Sequence, residues 1–114
     1  MIKLYRCLFI LLVLFTAYAA FSPSDGNASI PNIDKFIHFV IFFLLAFFLD
    51  LSVKESIIKY PLFIFFLFFY ATLIEFVQYF LPTRSADLID FLFDLIGILV
   101  YLVIAPKNKS RATR

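Results

Sequence analysis

Four long apolar runs, at residues 4–21, 36–51, 57–81 and 87–105, divide the chain, and the polar segments SPSDGNASIPNID, SVKESIIK and PTRSAD separate them. Apolar positions within the runs are continuous rather than alternating, which predicts helices and argues against the strands of an outer-membrane barrel. A membrane-crossing helix takes about 20 residues, with a range of about 17–25. The second run is short by that measure and should recruit the turn before it. Pro61 falls in the first turn of the third predicted helix and Pro106 ends the fourth, both positions where proline is tolerated. The segment KNKSRATR reads as a solvated end.

Composition identifies the solvent. Of 114 residues 64% are hydrophobic and 16% charged, and the mean hydropathy is +1.02, whereas soluble domains are roughly 45–50% apolar and about 25% charged. The expected fold is therefore all-α: an integral membrane protein with four transmembrane helices in an antiparallel bundle. Residues 1–106 would form a single transmembrane domain and residues 107–114 a basic cytoplasmic tail. The opening MIKLYR, the apolar run after it and AYAA also fit a secretory signal peptide. Cleavage there would leave three spans and put the termini on opposite sides; four spans keep them together. Loop charge sets the orientation. With a cytoplasmic N-terminus, Lys3, Arg6, Lys54, Lys59, Lys107, Lys109, Arg111 and Arg114 lie inside and only Lys35 and Arg84 outside. Cys7 has neither a disulfide partner nor metal-site spacing around it.

The acids run the other way. Asp87, Asp90, Asp94 and Gly97 follow 3-4-3 spacing and so share one stripe of the fourth helix. Asp94 lies about 10 Å down the axis from Asp87, and Glu75 about 9 Å below the outer end of the third helix, with Gln78 one turn above it. Asp34 and His38 form an i, i+4 pair at the mouth of the second helix, with Lys35 beside them. Ionisable groups within a membrane are costly, so they should face one another or water, in a polar crevice open to the outside. Arg84 at its mouth can hold a carboxylate or an incoming anion bidentately. Gly97 should let another helix approach closely beneath the cluster. Helix-dipole or capping roles account equally for Asp87 and Asp34, and ion pairs that merely lock the bundle compete with a functional reading of the rest. Asp50 and Lys54 have the spacing of an interfacial salt bridge.

The segments DKFIHF (Asp34, Lys35, His38), EFVQYFLPTR (Glu75, Gln78, Arg84) and DFLFDLIG (Asp90, Asp94, Gly97), in that order, resemble the VanZ-like family of small polytopic membrane proteins. The resemblance covers about residues 33–100. It departs at Asp94, where the family usually has Asn, a change from an amide to an acceptor or protonatable group. The family is linked to glycopeptide (teicoplanin) resistance, which implies a role at the cell envelope, in the cytoplasmic membrane; resistance by this chain does not follow.

Two classes of function stand. In one, Glu75, Asp90 or His38 acts as general acid or base, and Arg84, Lys35, Asp34, Gln78 and Asp94 hold a lipid-linked or cell-wall precursor. Whether this amounts to an enzyme is open. No cofactor is evident beyond a divalent cation that the carboxylates could hold; a single His excludes multi-His zinc sites, and Ser85 has no base at a fitting spacing. In the other class the cluster serves a non-catalytic membrane subunit, or a carrier of protons or a small ligand. The partner expected in either case is the lipid bilayer, with no nucleic acid, and the oligomeric state is undetermined.

Overall fold

The computed structural model describes residues 2–21, 33–80 and 88–105, with the side chains of residues 33 and 34 excepted. It is all-α. Helix α1 spans Ile2–Phe21, α2 Ile33–Leu51, α3 Pro61–Phe80 and α4 Leu88–Ile104, and a 3-10 turn at Ile57–Lys59 stands between α2 and α3. Helix α2 starts at Ile33, ahead of the apolar run, and so reaches 19 residues.

The third apolar run is not one helix. Its first residues are drawn off by side chains: Ile57 N–H donates to Asp50 Oδ1 at 2.9 Å, and Ser56 Oγ caps the turn by accepting from Ile58 N–H at 3.3 Å. Donors committed to side chains favour a short turn over a helical start. Pro61, which has no N–H to lose, then opens α3.

Helices α2 and α4 form the most extensive pair, although α3 lies between them in sequence. Gly97 explains how close they come. A Cβ at this position would stand 2.5 Å from the Phe39 carbonyl oxygen and 3.1 Å from the Phe43 nitrogen, both backbone atoms of α2. The close approach expected at Gly97 is thus present, and α2 is the helix that makes it. Phe42, Leu45, Ala46, Leu67, Ala71 and Ile98 fill the core around this seam. Helix α1 is tied on by side chains. Tyr70 O–H donates to the Val13 carbonyl at 2.6 Å, Gln78 Nε2 to the Ala20 carbonyl at 2.9 Å, and Arg6 Nε to the Ser52 carbonyl at 2.9 Å. The AYAA segment lies inside the continuous α1, with Ala20 buried and Tyr18 and Ala19 exposed.

Asp50 does not behave as its spacing to Lys54 suggests. It is fully buried, whereas Lys54 is exposed. Its Oδ1 accepts from Ile57 N–H and its Oδ2 from the Tyr101 hydroxyl. A tyrosine 51 residues further on supplies the partner that an interfacial lysine was expected to be.

Helices α1 and α3 are each long and apolar enough to cross a membrane. Large apolar side chains are also exposed along α4, including Leu92, Ile96, Leu99, Val103 and Ile104.

Candidate functional site

Asp90 and Asp94 lie one turn apart on α4, on the face that Gly97 brings against α2. Across the seam stands His38. Its Nδ1 is 2.7 Å from Asp94 Oδ1, within the range of a charge-assisted hydrogen bond. An ionised carboxylate can only accept, so Nδ1 carries the hydrogen and donates it to Asp94. In the neutral ring Nε2 is then a bare acceptor. It lies 3.9 Å from Asp90 Oδ2, too far for a hydrogen bond.

Asp94 is 0% exposed and His38 17%, so the carboxylate stands behind the imidazole. Its second oxygen, Oδ2, finds no hydrogen-bond donor among the described residues. Lys35 Nζ approaches Asp90 Oδ1 to 3.7 Å. Glu75 is near enough to act electrostatically on both His38 and Asp94.

Beside the pair is a cavity of about 250 Å³, lined by His38 and Asp90 together with Thr16, Ala19, Ala20, Ile37, Ile41, Phe42 and Ile74. The other groups singled out in the sequence are distributed around it. Glu75 borders a separate depression with Phe76, Tyr79 and Phe91. Lys35 borders another with Phe36, Phe39 and Phe93. Gln78 is buried and donates to the Ala20 carbonyl. Arg84, Asp87 and the side chain of Asp34 lie outside the described residues. Among the described residues no three His, Cys, Asp or Glu side chains are disposed to hold a metal ion.

A base held from behind by a carboxylate and facing a cavity has a definite chemical capacity. Asp94 holds the imidazole in the tautomer with Nδ1–H toward the carboxylate, so Nε2 can accept a hydrogen bond, or take a proton, from a group in the cavity.

Sequence reasoning missed two residues of the cavity wall and the buried partner of Asp50. Tyr101 continues the 3-4 spacing of Asp87, Asp90, Asp94 and Gly97, a signal that could have placed it on the α2 seam. Ala19 and Ala20 were noticed only as a cleavage pattern, yet both line the cavity.

A family model described as VanZ/LLP1 matches residues 3–108. No curated protein and no solved structure matches the chain.

Proposed function

The chain belongs to the VanZ/LLP1 family, and on that premise we propose that it is a multi-pass protein of the cytoplasmic membrane whose cavity receives a protic group of a cell-envelope ligand on His38 Nε2. Four helices cross the bilayer in this reading. The apolar surfaces of α1 and α3 support it, as does the long exposed apolar face of α4, far beyond what a soluble monomer presents. At 17 residues α4 is about 26 Å long, near the bilayer's hydrocarbon thickness of about 30 Å. The loop charges orient the bundle with both termini cytoplasmic and the His38 end of the seam outside. His38 receives the ligand and Asp94 holds the imidazole. Asp90 and Glu75 shape the local field, and Lys35 approaches Asp90.

The observation that carries this reading is the His38 to Asp94 hydrogen bond behind a cavity. A charge pair that merely locked helices together would not need an imidazole nitrogen left over at an open space.

His38 is the only histidine, so diethyl pyrocarbonate, followed by its absorbance change and by peptide mass, reports on Nε2 alone. In the folded protein His38 should be carbethoxylated and, at a pH high enough to keep the ring neutral in both proteins, more slowly in Asp94→Asn. Complete protection of His38 until the protein is denatured would overturn the cavity-facing base. Topology is tested in a Cys7→Ser background with cysteine at Asn27 or Arg84. Both should react with an impermeant thiol reagent in intact cells, and labelling only after lysis would reverse the orientation.

A further inference from the structure

The cavity beside His38 is walled by apolar residues and has its polar groups at one end. On α1 it meets Thr16, Ala19 and Ala20, on α2 Ile37 and Ile41, and on α3 Ile74. The Thr16 hydroxyl is spent on the Leu12 carbonyl, 2.6 Å away, so it adds little polarity to that wall. Two of these residues belong to the outside of the bundle as well: Ala19 is exposed and Ile37 is 44% exposed. A residue that lines a cavity and also faces outward marks a place where the cavity breaches the side of the bundle. Small side chains on α1 keep that breach open, and a bulky one at position 19 would fill it. In a four-span protein this gap between α1 and α2 faces lipid.

Volume and charge narrow the occupant. Whole-ligand pockets run to about 300–1,000 Å³, so a cavity of about 250 Å³ takes the end of a molecule and leaves the remainder outside. That remainder lies among acyl chains and must be apolar. The inserted end meets His38 Nε2, an acceptor in the neutral ring, with Asp90 Oδ2 at 3.9 Å from it. A group that seats on an acceptor must donate, whereas a phosphate dianion has no hydrogen to give and would approach the buried Asp94 carboxylate behind the ring.

We propose that the cavity is loaded sideways from the bilayer, between α1 and α2, by a single-chain lipid whose hydrogen-donating head, a hydroxyl or an amine, seats on His38 while its chain remains in the membrane. This rests on the assignment of His38 above and adds the route and the class of ligand. Ala19 and Ile37 form the sill that the chain crosses. Thr16, Ala20 and Ile74 form the apolar wall against which its first carbons lie.

The test uses the full chain in phosphatidylcholine vesicles, a lipid with no donor in its head. The probe is hexadecanol carrying a diazirine a few carbons from the hydroxyl, with photolabelled peptides mapped by mass. Label is expected on the α1 and α2 segments around Ala19 and Ile37. Hexadecylamine should compete and hexadecyl phosphate should not. Ala19→Phe and His38→Gln should each lower the label at least about tenfold, as expected for the loss of about 1.4 kcal/mol. Leu14→Phe, on the exposed face of the same helix, should leave it unchanged. Ala19→Leu is a smaller block should the Phe variant fail to fold, and should act in the same direction.

Full labelling of Ala19→Phe or Ala19→Leu with loss in His38→Gln overturns the sideways route and leaves His38 in place. Full labelling of His38→Gln removes the site itself. Equal competition by hexadecyl phosphate overturns the donating head, and the absence of saturable label in the wild-type chain overturns the lipid.

Discussion

Asp50 and Asp94 are both 0% exposed, and both sit on the seam between α2 and α4, yet they are treated in opposite ways. Asp50 has a donor on each oxygen, Ile57 N–H on one and the Tyr101 hydroxyl on the other. It joins the end of α2, the 3-10 turn and α4. Rings close it in: Phe43 and Phe47 meet Tyr101 edge-on at centroid separations of 5.5 and 5.8 Å. Asp94 has His38 on one oxygen and no donor among the described residues on the other, and the imidazole it holds borders a cavity. A buried carboxylate with a donor on each oxygen stabilises a fold. One that is left incomplete, beside open space, is better explained by what enters that space.

The contrast is broken or sharpened most strongly at Asp50. Asp50→Ala strands two buried donors, at roughly 1–3 kcal/mol each, and should lower the unfolding midpoint in detergent more than a substitution at Gly97, Asp94 or Lys59. Tyr101→Phe strands only one oxygen and should cost less, and the double variant should cost less than the sum of the two. Strict additivity would show that the two groups do not act as a pair.

Gly97→Ala comes next. Its Cβ would press on the Phe39 carbonyl, part of a helix backbone that cannot swing aside, so α2 and α4 must part at about 1–3 kcal/mol. Because the same seam positions His38 against Asp94, carbethoxylation of His38 should change along with stability. A variant as stable as the wild type, with unaltered His38 reactivity, would show that the seam yields at no cost.

Asp94→Asn separates the two aspartates directly. The amide oxygen still accepts from His38 Nδ1–H, while the charge behind the ring is gone. Stability should move by no more than about 1 kcal/mol, and the rate of His38 modification, followed at a pH high enough to keep the ring neutral in both proteins, should fall. If this variant unfolds as readily as Asp50→Ala, both carboxylates are structural and the contrast disappears.

The smallest effect is expected at the surface. Lys59 and Glu55 form an ion pair at 3.4 Å with both side chains about half exposed, and Lys59→Ala should shift stability by less than about 0.5 kcal/mol in a denaturant titration. A larger loss would mean that the connection around the 3-10 turn depends on more than the Asp50 carboxylate.

What could be read from the sequence follows the reach of each interaction. Four helices were legible because continuous apolar runs are a local signal. The shared face of Asp90, Asp94 and Gly97 was legible because helical periodicity is local too. The break at residues 57–60 was not, since a continuous apolar run says nothing about the Asp50 carboxylate that captures Ile57 N–H. The true partner of Asp50 was hidden for the same reason: Lys54 is one turn away in sequence, whereas Tyr101 is close only after α4 has packed on α2. His38 and Asp94 could be placed at similar depths by counting residues. That they bond to each other depends on which helices are neighbours, and α2 and α4 are not consecutive.

That non-consecutive pairing imposes an order on biosynthesis. As the chain leaves the ribosome, α2 emerges with His38 and Asp50 before the residues that complete their hydrogen bonds exist, and α3 follows without supplying them. Asp94 and Tyr101 both arrive on α4, which is made after α1, α2 and α3. The hydrogen bonds of His38 to Asp94 and of Asp50 to Tyr101 can form only once α4 is present, and α4, seated on α2 at Gly97, closes both ends of the seam. A chain stalled before residue 88 would hold α1, α2 and α3 with His38 and Asp50 lacking their α4 counterparts, Asp94 and Tyr101.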